Sequence, residues 1–224
     1  MEVTSNNLLP LLILLDIDGK PIARMDSTNG DGFIALLDQI ELPSSGEYTI
    51  VAGRTDTNLG ITSGDYALEL TEGAGNTQQA SLVRDIDYGD TLAGDLDVNK
   101  PEEVYTFFAE RGEVITATMR TTRGDLDTVL ILTDALGNEI ARNDDNLFDE
   151  DSISNSEIFN VLLTETGYYM LIATAFDTDN IDRGSYTLDL VRNEVIFDEE
   201  LPLFAVLSPF NSGAVLADGS ERIY

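Results

Sequence analysis

Aspartates gather around a single stretch of the chain. Asp125 and Asp127 open one apolar run, Asp144 and Asp145 close the next, and Asn146, Asp149 and Asp151 follow directly. A turn near Leu136-Gly137 makes the two runs a hairpin. In antiparallel pairing, partners whose numbers sum to about 272 then face each other, and Asp127 falls beside Asp145. Like charges placed this way repel unless a cation lies among them. Ca²⁺ takes six to eight oxygens from carboxylates and backbone carbonyls and suits such a loop. The expected metal site is therefore Asp125, Asp127, Asp144, Asp145, Asp149 and Asp151, with Ca²⁺ as the ion. The competing reading is that these residues cap turns and stay solvated. Asp177, Asp179 and Asp182 form a lesser candidate of the same kind.

Other chemistries are poorly supplied. The 224 residues contain no Cys and no His, which excludes disulfides, thiolate or imidazole metal sites and a Ser-His-Asp triad. Asp144 and Asp145 resemble a glycosidase pair only in type, since adjacent loop carboxylates fit a cation better. No catalytic residue is expected. Asp16-Ile17-Asp18-Gly19 begins like a calcium loop but lacks the later ligands and the closing glutamate, so it reads as a hairpin turn. With 42 acidic against 12 basic residues the net charge is -30, which repels nucleic acid and anionic membrane.

The elements that hold these residues follow from an internal repeat. Residues 8–24, LLPLLILLDIDGKPIAR, match 126–142, LDTVLILTDALGNEIAR, at nine of 17 positions with a constant offset of 118. The run Leu8–Leu15 is thus a core strand. It has no basic flank or small-residue cleavage site to make it a signal peptide, and it is too short to span a membrane. Gly46 and Tyr48 align with Gly167 and Tyr169, and Gly64, Tyr66 and Leu68 with Gly184, Tyr186 and Leu188. Near the end, SGAVLADGSERIY (212–224) falls on AGDLDVNKPEEVY (93–105), with Gly213, Glu221 and Tyr224 on Gly94, Glu102 and Tyr105.

Alternation and turn chemistry predict strands at 102–109, 112–120, 127–134, 139–143, 156–163, 167–175 and 184–191. About eight antiparallel strands in two packed sheets result, and no stretch has a helical period. Gly167, a turn glycine kept in both copies, is expected at positive φ. Tyr48, Tyr66, Tyr105, Tyr169 and Tyr186 are expected in the core or at tyrosine corners.

Taken together, VYTFFAERGEVITATM (104–119), GDLDTVLILTDALGNEIARNDD (124–145), DSIS (151–154), LLTETGYYMLIA (162–173) and GSYTLDL (184–190) resemble the bacterial pre-peptidase C-terminal (PPC) domain. The resemblance implies tandem antiparallel β-sandwich domains of the jelly-roll kind, accessory and non-catalytic, some of them binding calcium or polymeric substrates. The first copy departs from the pattern, with Leu9 for Asp127 and Ser27 for Asp145, so its equivalent of the metal site is expected to be weak or lost.

The expected organisation is a first repeat at 1–73 lacking its opening strands, a linker at 74–80, a complete repeat at 81–193, and a linker with the opening strand of a further repeat at 194–224. An unfinished sandwich exposes apolar face and strand edge, which are covered either because the chain is a section of a longer covalent array or because another copy adds its strands. The assembly residues are Leu8, Leu12, Leu14, Leu203, Phe204, Val206, Val215, Ile223 and Tyr224. The expected function is an extracellular or cell-surface structural protein whose partners are other copies of itself, joined head-to-tail. The alternative is an accessory module of a secreted hydrolase that engages extracellular polysaccharide or protein.

Overall fold

A computed structural model describes residues 1–5, 8–27, 33–38, 40–55, 63–71, 81–145, 154–176, 183–194, 213–215 and 221–223. The chain divides into two compact units, Met1–Asn193 and Glu194–Tyr224. Every regular element among the described residues is a strand. The first unit begins with β1 (Glu2–Ser5), β2 (Pro10–Leu15), β3 (Pro21–Asp26), β4 (Ile34–Leu36), β5 (Thr49–Arg54), β6 (Tyr66–Glu69), β7 (Ser81–Leu82) and β8 (Arg84–Asp85). It continues with β9 (Thr91–Leu96), β10 (Glu102–Ala109), β11 (Val114–Gly124), β12 (Thr128–Asp134), β13 (Glu139–Asn143), β14 (Ser156–Leu162), β15 (Gly167–Ala175) and β16 (Gly184–Asn193). The second unit holds β17 (Gly213–Val215) and β18 (Glu221–Ile223), which pair with each other.

Four sheets build the first unit. Among the described residues, 84–193 supply β13-β12-β15-β10-β8 and β14-β11-β16-β9, and 2–82 supply β5-β2-β3-β7 and β4-β1-β6, so that Ser81–Leu82, placed by the sequence at the start of the second repeat, pairs instead with β3 of the first. The neighbours of β12 are β13 and β15, and those of β2 are β3 and β5; likewise β11 lies between β14 and β16, and β1 between β4 and β6. The sequence repeat is therefore also a repeat of strand order. The seven predicted strands are present, and their ends fall within two residues of expectation except in β11, which runs four residues further, to Gly124. One pairing departs from it, because β8 joins β10 in parallel through Tyr105↔Arg84 and Thr106↔Asp85.

The sheets stack in layers, each pair closed by its own apolar cluster. Leu12, Leu14 and Met25 meet Val3, Ala35 and Leu37 inside the first sandwich. Tyr105, Phe107, Leu130, Leu132, Leu171 and Tyr186 belong to the core of the second. Between them Leu11, Ile13 and Leu15 pack on Val104, Met170 and Ile172. All six residues of β2 are buried as a result. A strand covered on both faces loses its polar positions, which is why this segment reads as an unbroken apolar run.

The β2–β3 and β12–β13 turns share one construction. Asp16 Oδ1 accepts from the amides of Asp18 and Lys20 at 3.0 and 2.9 Å, and Asp134 Oδ1 accepts from Leu136 and Asn138, both at 2.9 Å. Gly19 and Gly137 take φ of 79° and 85° there, the left-handed region that glycine enters without penalty. The Asp16–Gly19 segment is thus a hairpin turn. Gly167, expected in that region, is not among the positive-φ glycines, and a Cβ on it would meet nothing within 4 Å. It is the first residue of β15, with ordinary extended geometry.

Candidate functional site

The aspartates named from the sequence are placed as follows. Asp125, Asp144 and Asp145 are exposed and Asp127 is half-buried; Asp149, Asp151 and the 177–182 loop lie outside the described residues. Pairing of β12 with β13 sums to 273 from Leu130↔Asn143 to Leu132↔Ala141 and to 272 only at Thr133↔Glu139, across a bulge. The register therefore slips by one before the aspartates, and ladder pairing stops at Leu130. The backbone carbonyl of Asp127 accepts from the amide of Phe176 at 2.9 Å. Among the described residues no three acidic side chains converge on a point that could hold a metal. The four described aspartates do not form a calcium shell alone; ligands from 146–153 are needed to complete one. In the first copy Asp26, the equivalent of Asp144, is buried in an ion pair.

A more developed arrangement is the unfinished edge of the first sandwich. In the full copy β10 pairs with the outer side of β15, from Glu102↔Thr174 to Ala109↔Gly167, and β9 pairs with β16, from Gly184↔Leu96 to Asp189↔Thr91. Among the described residues β5 and β6, the counterparts of β15 and β16, end their sheets on that side. Burial differs accordingly. Tyr186, Leu188 and Leu190 are 0% exposed, whereas their counterparts Tyr66, Leu68 and Leu70 are 56%, 43% and 69% exposed. Tyr66 thus departs from the expected core position, because the side chains that cover Tyr186 come from β9 and β10.

The closed version of this site shows what covers it. Tyr186 OH lies 2.8 Å from Tyr105 OH on β10 and donates to Glu103 Oε2 at 2.7 Å. A Cβ on Gly94 of β9 would collide with the Tyr186 ring and with Glu103 Oε2, so glycine is required where this ring lies on the edge strand. Burial and the neighbouring Glu103 carboxylate push the Tyr105 phenol up to about 12, although the Tyr186 hydrogen bond works against this. The other recurring pair behaves alike in both copies: Tyr48 OH donates to Ser44 O and Tyr169 OH to Glu165 O, each at 2.7 Å. These are tyrosine corners.

A third feature joins the two sandwiches. Arg24 on β3 donates through Nη1 to both carboxylate oxygens of Glu102 on β10, at 2.8 and 3.0 Å, and through Nη2 to Asp26 Oδ2 at 2.7 Å. All three residues are buried. Burial alone would lower the Arg24 pKa, but Glu102 and Asp26 outweigh it and hold it above its ordinary value. They line a cleft of about 880 Å³ that also contains Arg54, Arg142 and Glu139. Sequence reasoning passed over Arg24 and Glu102, although one signal was present: Arg24 recurs as Arg142 and Glu102 as Glu221.

Of the assembly residues, Leu8, Leu12 and Leu14 are buried in the first unit. Val215 lies on β17 and Ile223 on β18, while Leu203, Phe204, Val206 and Tyr224 lie outside the described residues.

Neither a family model nor a curated protein matches the chain. Among solved structures it is similar to the pre-peptidase C-terminal domain of collagenase from Bacillus anthracis, with a TM-score of 0.41 and 20% identity over 51% of this chain and 99% of that one. It is also similar to the PliG periplasmic inhibitor of g-type lysozyme from Aeromonas hydrophila, with a TM-score of 0.34 and 14% identity over 50% of this chain and 96% of that one. By its own strands and cores, the chain is an all-β protein of packed, predominantly antiparallel sandwich sheets, the fold class that its resemblance to the PPC domain implies.

Proposed function

We propose that this chain is a non-catalytic structural protein of the cell exterior, a protomer or section of a head-to-tail array of β-sandwich repeats. In this reading 1–73 is a repeat completed by strands from another copy, 81–193 is complete, and 194–224 opens a further one. The observation that carries it is the exposure of Tyr66, Leu68 and Leu70 where Tyr186, Leu188 and Leu190 are fully covered. Contiguous apolar surface of this kind marks an interaction site. A contact between the two different ends of one chain is heterologous, and it propagates as a filament unless its rotation closes a ring. An exterior location is supported by the charge of -30 and by a chain with only two lysines.

Electron microscopy of the purified chain tests the reading. Filaments are expected, and deletion of 201–224 is expected to abolish them while 81–193 stays folded. Dispersed particles from the intact chain, or filaments from the truncated one, would overturn it.

Calcium belongs to the same proposal, as an ion held by Asp125, Asp127, Asp144 and Asp145 together with Asp149 and Asp151. At 100 times Kd an ion bound only to the native state adds about 2.7 kcal/mol. EDTA should then lower the melting temperature, and Asp127→Asn with Asp145→Asn should remove that response. A melting temperature indifferent to EDTA rejects the site. One observation favours the alternative, a substrate-binding accessory module: the arginine-lined cleft also contains Thr55, whose buried hydroxyl oxygen, like Arg24 Nε, has no protein partner among the described residues.

A further inference from the structure

The open edge of the first sandwich selects a particular segment. β9 and β10 close the full copy with a defined set of groups: a glycine under Tyr186, a glutamate at the start of β10, an apolar residue facing the neighbouring sandwich, and a tyrosine whose hydroxyl meets that of Tyr186. Residues 213–224 repeat that set at an offset of 119, with Gly213 for Gly94, Val215 for Leu96, Glu221 for Glu102, Ile223 for Val104 and Tyr224 for Tyr105. The strands match as well. β17 covers the equivalents of Gly94–Leu96, and β18 those of Glu102–Val104. In their own chain these two strands pair with each other as Gly213↔Ile223 to Val215↔Glu221, whereas β9 and β10 are divided between two sheets.

We infer that residues 213–224 of a second copy of this chain complete the first sandwich by adding one strand beside β5 and one beside β6. The inference rests on the assembly reading above and gives it a register. Glu102↔Thr174, Glu103↔Ala173 and Val104↔Ile172 carry over as Glu221↔Gly53, Arg222↔Ala52 and Ile223↔Val51. Leu96↔Gly184 and Gly94↔Tyr186 carry over as Val215↔Gly64 and Gly213↔Tyr66. Gly213 then lies under the Tyr66 ring, which removes its exposure, and Tyr224 OH reaches Tyr66 OH. Ile223 joins the Leu11, Ile13 and Val51 face as Val104 does in the existing interface. Glu221 enters beside Gly53 into the cleft that holds Arg54 and Arg142, as Glu102 enters beside Arg24. One position departs from the template, with Arg222 in place of Glu103. The donated strand carries no carboxylate to Tyr66 OH, and the Tyr224 hydroxyl is its partner there.

The chain has no native cysteine, so the register can be read by disulfide capture. Full-length Ala52→Cys and full-length Arg222→Cys are purified separately and mixed under a glutathione redox buffer. A disulfide-linked dimer of one of each is expected, at least tenfold above the yield with Val51→Cys in place of Ala52→Cys, because a one-residue slip turns the thiol to the other face. Adding Gly213→Val to the Arg222→Cys chain should reduce capture at least tenfold. That change alters only the donor segment, so it is informative even where Ala52→Cys disturbs the acceptor. Capture equal at positions 51 and 52, or undiminished by Gly213→Val, overturns the inference. Filaments that form without capture reject this register while leaving the assembly reading standing. Absence of both filaments and capture rejects the two together.

Discussion

Replacing Arg24 by methionine is expected to destabilise the protein by about 3–5 kcal/mol, because it removes the guanidinium that bridges Glu102 and Asp26 while both carboxylates stay buried. The loss should appear as a lower urea midpoint. Breaking such a pair costs much more than the pair contributes over an apolar substitute, because an uncompensated buried charge is the expensive species. Adding Glu102→Gln and Asp26→Asn to the Arg24→Met chain should accordingly recover most of the loss. A midpoint unchanged by Arg24→Met would mean that the two carboxylates find water or another partner without it.

Gly94→Ala should cost about 1–3 kcal/mol, the usual penalty for overpacking a well-filled core. The new methyl would collide with the Tyr186 ring and Glu103 Oε2. Neither can give way easily. The ring is fully buried and its hydroxyl is engaged by Tyr105 and Glu103, which is itself held by Arg84 and Lys100. Gly46→Ala and Gly167→Ala are the controls, since a Cβ at either meets nothing within 4 Å and neither has positive φ. Both should leave the urea midpoint nearly unchanged. A loss at Gly94 no larger than at the controls would show that the edge strand shifts freely over Tyr186.

The sandwich was legible because its signals are local and doubled. The run Val129–Leu132 and its partner Leu11–Leu14 have the same pattern in two contexts, and the aspartate–glycine turns Asp16–Gly19 and Asp134–Gly137 mark the same hairpin twice. What one sequence hid was long-range. The pairing of Arg24 with Glu102 joins residues 78 apart in the chain and depends on which sheet faces which. Tyr66 and Tyr186 have the same local sequence, Gly-x-Tyr-x-Leu, and yet differ completely in burial, because their cover comes from other strands. The one-residue slip beside the aspartates arose from a bulge between Leu132 and Thr133, which leaves no mark in an alternation pattern. Gly167 was misread because recurrence of a glycine in a turn shows that small size is tolerated, not that the backbone is left-handed.

The burial of β2 on both faces ties the fates of the two sandwiches together. Leu11, Ile13 and Leu15 find their cover on β10 and β15, while Leu12 and Leu14 find theirs within the first sandwich. If the second sandwich melts, half of β2 returns to water and the first loses a layer it cannot replace. Stability here is therefore a nearest-neighbour quantity, in which interfacial coupling adds to what each repeat possesses alone. Cooperativity is then expected to extend past the boundary of any one sandwich.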